Sequence, residues 1–145
     1  MYKNILLPTD GSPLAARAID AGIALAKTTG AQLTALVAIE PFHLFAFAPE
    51  QLGYNQASYS SHARAEATKV LDAVAAKAAA AGLRCDIVLR EADHPHEAIT
   101  DVADSTGCDL IVMASHGRRG VSALVLGSVT MKVLAHSKTP VLVYR

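Results

Sequence analysis

The sequence predicts a doubly wound α/β fold, a five-stranded parallel sheet of Rossmann-like type with four main helices on its two faces. Three observations carry that expectation. Apolar, β-rich runs at 4–8, 32–39, 86–90, 109–114 and 141–144 alternate with helical patterns. Each run is continuously apolar instead of alternating polar and apolar, which is what strands covered on both faces require. The length of 145 residues suits a single domain spanning 1–145, with a core of its own and no room for a second of similar size.

The elements follow in order. After the first strand, Ser12 is placed to cap a helix that has Pro13 at its first position, an apolar stripe at Ala15, Ala18, Ile19, Gly22, Ile23 and Ala26, and Gly30 as its stop. The second strand leads into Pro41–Asn55, which holds Phe42, Phe45 and Phe47 together with Leu44, Leu52 and Tyr54. A loop this apolar packs either as a lid beside a crevice or in a subunit contact. A helix from about Ser60 to Ala81 then carries Ala63, Ala67, Val70, Leu71, Val74 and Ala78 on one face, with Gly82 ending it. A third helix starts near His94 and Pro95, has Glu97 placed to bond back to the cap, turns Ile99, Val102 and Ala103 inward, and stops at Gly107. The last begins at Ser128, carries Val129, Val133 and Leu134, and cannot continue through Pro140.

Composition narrows the partners. Thirteen Lys plus Arg balance thirteen Asp plus Glu, so no global field favours nucleic acid or an anionic membrane, and any anion site must be local. Apolar stretches are too short for a membrane span, and Met1-Tyr2-Lys3 runs straight into a strand with no targeting segment, so a cytoplasmic location is expected. Cys85 and Cys108 lack a C-x-x-C spacing and read as two small, semi-buried thiols. His94 and His96, two apart at a helix start, do not read as a metal pair.

The residues that point to chemistry lie near the C-terminus. Leu110-Ile111-Val112-Met113-Ala114-Ser115-His116-Gly117-Arg118-Arg119-Gly120, followed six residues later by Gly127-Ser128-Val129-Thr130, reads as a buried strand, a glycine-punctuated loop and a helix start. Glycines let a backbone approach a ligand, and the first N–H groups of a helix face an anion, so this is the layout of a phosphate cradle. Two known cradles are excluded. A Walker loop needs Lys and then Ser or Thr after its last glycine, whereas Gly127 is followed directly by Ser128. A dinucleotide fingerprint needs three glycines in the first strand-to-helix turn, and Pro8-Thr9-Asp10-Gly11-Ser12-Pro13 has one.

The spacing resembles that of the universal stress protein family, whose nucleotide-binding members carry G-x2-G-x9-G-[S/T] after the fourth strand. Ala114, Gly117, Gly127 and Ser128 align with it, with Ala114 in place of the first glycine. Lys3 to Ser12 is similar to the family's opening strand and acidic turn, and Thr139 to Tyr144 to its closing strand, so the likeness spans the chain. It implies the strand order 3-2-1-4-5, which makes strands 1 and 4 neighbours at the switch point where ligands bind. It further implies ATP, AMP or ADP as ligand, with Mg²⁺ as an accompanying ion, and a homodimer through the 141–144 edge, which is also an unprotected sheet edge in its own right.

The cofactor-binding set expected on these grounds is Pro8, Thr9, Asp10, Ala38, Met113, Ala114, His116, Gly117, Arg118, Gly127, Ser128, Val129 and Thr130. Asp10 either meets the adenine or ribose side of the ligand, as the resemblance implies, or caps the following helix through an Asx turn. Ala38 matches a position whose main chain pairs with adenine in the family. Gly117, Gly127 and the Ser128–Thr130 helix start either capture phosphate or form a tight turn with Ser128 as a cap. Arg118 and Arg119 either add charge there or are solvated. Ala114 fits a strand end at no cost if its φ is negative. His116 has no Ser/His/Asp constellation around it and reads as a structural hydrogen-bonding residue.

No base or arginine finger is evident, so hydrolysis, if any, would be slow. The function expected is a cytoplasmic, dimeric, nucleotide-dependent sensor or regulator of the stress response, acting on an unidentified protein partner. The alternative is a nucleotide-independent dimeric adaptor of the same fold. A nucleotide-processing enzyme is a weaker reading, because Thr9-Asp10-Gly11-Ser12 stands where such enzymes carry their own signature turns.

Overall fold

The computed structural model describes residues 1–41, 49–118 and 125–145, with the side chains of 49–55 also left outside the description. Five strands, β1 (Asn4–Pro8), β2 (Gln32–Ile39), β3 (Cys85–Glu91), β4 (Leu110–Ala114) and β5 (Val141–Tyr144), alternate with four helices, α1 (Pro13–Thr29), α2 (Pro49–Ala80), α3 (Pro95–Thr106) and α4 (Ser128–His136). All strand pairs are parallel, and the order is β3-β2-β1-β4-β5. The order reverses at β1, which pairs with β2 on one side and β4 on the other.

The period-2 pleat divides the central strands between two cores. Ile5, Leu7, Leu33, Ala35, Val37, Leu110 and Val112 meet Ile19, Ile23 and Ala26 of α1 and Ala67, Leu71, Val74 and Ala78 of α2. Leu6, Leu36, Ile111 and Met113 face the other way onto Ile99, Val102 and Ala103 of α3 and Val133 of α4. Every residue of the expected α1 stripe is buried, because an apolar repeat near 3.6 residues leaves a helix only one face to bury. Its ends are closed as its residues dictate: Ser12 accepts the Ala15 N–H, and Gly30 takes φ 73°, the left-handed conformation that ends helices. At the far end of the sheet the Asp109 carboxylate accepts the N–H groups of Lys3 and Asn4 and fixes the start of β1 against that of β4.

Three expectations are corrected. The apolar run of β3 is not covered on both faces: β3 is an edge strand, and Ile87 is 46% exposed. β5, the opposite edge, leaves Leu142 41% exposed. Helix α2 starts at Pro49, eleven residues before the expected Ser60, and takes in the second half of the expected 41–55 loop. Pro49 is acceptable in a first helical turn and a single helical glycine such as Gly53 costs only about 1 kcal/mol relative to Ala, so neither residue forbids the earlier start. The lid or subunit-contact reading of Phe42, Leu44, Phe45, Phe47, Leu52 and Tyr54 falls outside the described residues. In α4, Val133 is buried but Leu134 is 44% exposed.

Gly22 is where α1 comes closest to the sheet. A Cβ there would collide with the side chain of Leu7, which is fully buried and has nowhere to move. Replacing Gly22→Val should therefore lower the unfolding free energy by about 1–3 kcal/mol, the usual cost of overpacking. Urea denaturation reads this directly, and an unchanged midpoint would contradict the close packing of α1 on β1.

Candidate functional site

The switch point opens into a cleft of about 450 Å³ over the C-terminal ends of the strands, within the ~300–1,000 Å³ range of small-molecule sites. The structure brings together around it all thirteen residues of the expected set: Pro8, Thr9, Asp10, Ala38, Met113, Ala114, His116, Gly117, Arg118, Gly127, Ser128, Val129 and Thr130. Arg119 lies outside the described residues.

Asp10 joins the two segments. Its Oδ1 accepts the Ser12 N–H at 2.9 Å in an Asx turn, and its Oδ2 accepts the Arg118 N–H at 2.8 Å from a loop 108 residues away. Burial pushes this carboxyl up, but hydrogen bonds from Ser12 and Arg118 and the nearby Arg118 guanidinium outweigh it, and the group sits below the ordinary Asp value of 3.8. The approach depends on Gly117, since a Cβ at that residue would collide with the Asp10 carboxylate.

Gly127 plays a comparable steric part without an unusual conformation. Its φ is −63°, open to any residue, yet a Cβ would lie 3.1 Å from His116 Cα and 3.3 Å from the Ser115 carbonyl oxygen. Its N–H donates to that same carbonyl at 2.7 Å, closing the neck of the loop. Gly127, not Ser128, is the N-cap of α4, so the reading of Ser128 as a cap is set aside. With a glycine at the cap no side chain covers the helix start. Among the described residues no acceptor is recorded for the N–H groups of Ser128, Val129 and Thr130, the orphan donors of a first turn. The Thr130 hydroxyl is buried and donates to the Ala114 carbonyl at 3.0 Å.

Ala114 shows how the methyl at the first motif position is housed. No non-glycine residue among those described has a positive φ, so Ala114 keeps strand geometry without strain. It is only 8% exposed and packs with Ala15 and Ala18 of α1. Ala38 contributes its backbone. The Leu36 carbonyl accepts the Thr9 N–H at 2.9 Å, and Ala38, facing the same strand edge two residues later, lies past the end of β1. Its N–H and C=O therefore point into the cleft. Met113 is a core residue on the α3 and α4 face, with Val129 packed against the same cluster. Among the described residues, the contact recorded for the His116 ring is a long one, 3.4 Å from Nδ1 to the Gly117 carbonyl oxygen.

Sequence reasoning missed part of the wall. Glu40, Asp93, His94, Pro95, His96 and Lys132 also line the cleft. Only the topology could have found them: the turns that follow β2 and β3 open on the same edge of the sheet as those after β1 and β4. The cysteines stay apart from this chemistry. Cys108 is buried and Cys85 partly so, and burial pushes both thiols up, away from the thiolate.

With this geometry established, comparison with known proteins is decisive. The model of the Universal stress protein family matches residues 1–145. The chain belongs to the universal stress protein family. A universal stress protein of Thermus aquaticus is 36% identical over 148 aligned residues that cover both chains completely. The universal stress protein UspA from Lactobacillus plantarum has a TM-score of 0.86 at 25% identity, covering 99% of this chain and 98% of its own. A universal stress protein solved in complex with cAMP has a TM-score of 0.73 at 28% identity, covering 99% of this chain and 97% of its own. No described helix of this universal stress protein is long and apolar enough to cross a membrane.

The lowered Asp10 value fixes a pH dependence. A carboxyl whose folded value lies below its unfolded value stabilises the fold fully above the unfolded value and loses that contribution as pH falls through the folded one. The stability gap between wild type and Asp10→Asn should be widest above about pH 4 and shrink as the solution is taken to about pH 3. Urea midpoints of both proteins across that range test it, and a constant gap would remove Asp10 as the charged link between the segments.

Proposed function

We propose that this universal stress protein binds an adenine nucleotide, ATP or one of AMP and ADP, in the cleft at the β1/β4 switch point and acts as a cytoplasmic, nucleotide-dependent sensor or regulator. One observation carries the reading: the Asp10 turn, Gly117, Gly127 and the uncapped start of α4 converge on a single cleft. Phosphate oxygens only accept hydrogen bonds, and the first turn of α4 offers donors at the positive end of a helix. The two glycines shape this cleft by letting its own walls close up, the Asp10 carboxylate onto Gly117 and the Ser115–His116 backbone onto Gly127. The Ala38 main chain offers a donor and an acceptor to the edge of the base. The related protein in complex with cAMP supports the adenine nucleotide as the ligand class.

Mg²⁺ would arrive on the phosphates, since no cluster of three His, Cys, Asp or Glu among the described residues is placed to hold a metal ion. Hydrolysis would be slow at most. Asp10 is occupied by two backbone N–H groups, and His116 has no side-chain partner recorded among the described residues to orient it as a base. Occupancy would instead alter the surface around Arg118 that is offered to a protein partner.

Titration of ATP, AMP and ADP by calorimetry against wild type and Gly127→Val tests the site. The valine side chain presses on the His116 and Ser115 backbone while φ stays acceptable, so affinity should fall at least about tenfold, and the urea midpoint of the variant, measured alongside, separates loss of the site from loss of the fold. Equal affinity in both proteins would reject the site, and no uptake at millimolar nucleotide would favour the nucleotide-independent adaptor.

The same reading includes a homodimer through β5. The carbonyls of Pro140 and Tyr144 accept the N–H groups of Ile111 and Ser115, so even-numbered residues of β5 face β4 and Val143 turns its N–H outward. Val143→Pro removes an outward donor and no rung to β4. Sedimentation should show a dimer for wild type and a monomer for the variant, and a dimer in both would place the contact elsewhere.

A further inference from the structure

Lys132, His136, His94 and His96 form a cluster where α3 packs beside α4. The His94 and His96 ring centroids are 5.8 Å apart, and His96 stacks on His136 at 5.4 Å with 29° between planes. Lys132 lies one turn before His136 on α4 and shares its face. His94, His96 and Lys132 line the proposed nucleotide cleft. Glu97 in the first turn of α3 pulls against them at His96, and Glu40 and Asp93 line the same cleft.

That grouping makes the charge of the rim depend on protons. With the imidazoles neutral the four basic side chains carry the Lys132 ammonium alone, and each proton taken up by an imidazole adds one positive charge beside it. Histidine is the side chain whose ordinary titration lies in the physiological range.

We propose that His94, His96, His136 and Lys132 make the α3/α4 rim a proton-gated subsite for a phosphate-bearing ligand, which is held more tightly as pH falls from about 8 to about 6. The ligand's identity rests on the nucleotide reading above; the anion subsite does not. In the free protein, burial together with Lys132, His136 and His94 holds the His96 ring below its ordinary value against the pull of Glu97, so a bound anion has a proton affinity to restore.

Two measurements test it. cAMP serves as the first probe because its phosphodiester keeps one charge throughout this range. One added positive charge about 4 Å from a phosphate is worth about fivefold in water, so cAMP affinity in wild type should rise about three- to tenfold from about pH 8 to about pH 6. The rise should vanish in the His94→Gln, His96→Gln, His136→Gln triple variant, which retains His116, in the loop after β4, as an internal control. The second measurement is a proton NMR titration of the His96 ring in sulfate and in chloride at matched ionic strength, where sulfate should move the midpoint upward. If cAMP fails to bind at either pH while sulfate still raises the midpoint, the nucleotide reading falls and the subsite stands. If cAMP binds equally at both pH values, or the triple variant keeps the full rise, or sulfate leaves the midpoint unmoved, the subsite is overturned while the nucleotide reading survives.

Discussion

A single carboxylate holds the two halves of the cleft in register. Asp10 leaves the end of β1 and divides its oxygens between its own turn and a loop 108 residues further along the chain. The long-range bond needs the missing side chain of Gly117, where a Cβ would collide with the same Oδ2, so a glycine in one segment and an acid in the other act as one device. The parallel sheet makes the meeting possible by setting β1 beside β4, with nothing crossing between their C-terminal ends. At the opposite end Asp109 clips the starts of the same two strands. The central pair is thus tied at both ends by side-chain carboxylates as well as along its ladder.

The distribution of burial explains why chemistry gathers at this rim and not along the strands. β1 and β4 have their apolar side chains divided between two helix layers, and little of either strand beyond its backbone tip meets solvent. What emerges at the tips is main chain: the Ala38 peptide groups, the Ser115 carbonyl and the first turn of α4. Backbone groups cannot be read from residue identity, so a site made largely of them is carried in sequence only by the residues that permit approach. Gly117 and Gly127 do so by what they lack, and Ala114 by a methyl small enough to sit against Ala15 and Ala18.

That division also accounts for what was legible in the sequence. The α1 stripe was, because its period leaves no second face to bury, and its Ser12 and Gly30 ends were, because each residue has a local mechanism. The strand order was implied only by family resemblance, since apolar runs carry no information about neighbours. The exposure of Ile87 was not legible, because an edge strand and a central strand can have the same apolar content. The early start of α2 was hidden by Pro49 and Gly53, whose usual meaning as breakers yields to position. In the cleft, the residues from β1, β4 and α4 could be named in advance, whereas Glu40 enters the wall from the turn after β2, and His96 and Lys132 through α3 and α4, over strand ends far apart in sequence. The Thr130 hydroxyl serves the strand tip through its bond to the Ala114 carbonyl, a long-range contact that residue type alone does not announce.

The bond from the Gly127 N–H to the Ser115 carbonyl separates the start of α4 from the length of chain that leads to it. Thr130 fastens the same helix to the Ala114 carbonyl, so two bonds hold the first turn at the tip of β4. Closing a longer excursion across such a neck costs only about 0.6 kcal/mol for each doubling of its length. Insertions or replacements between those posts can therefore give the family member a different outer face while its helix amides stay aimed at the same point.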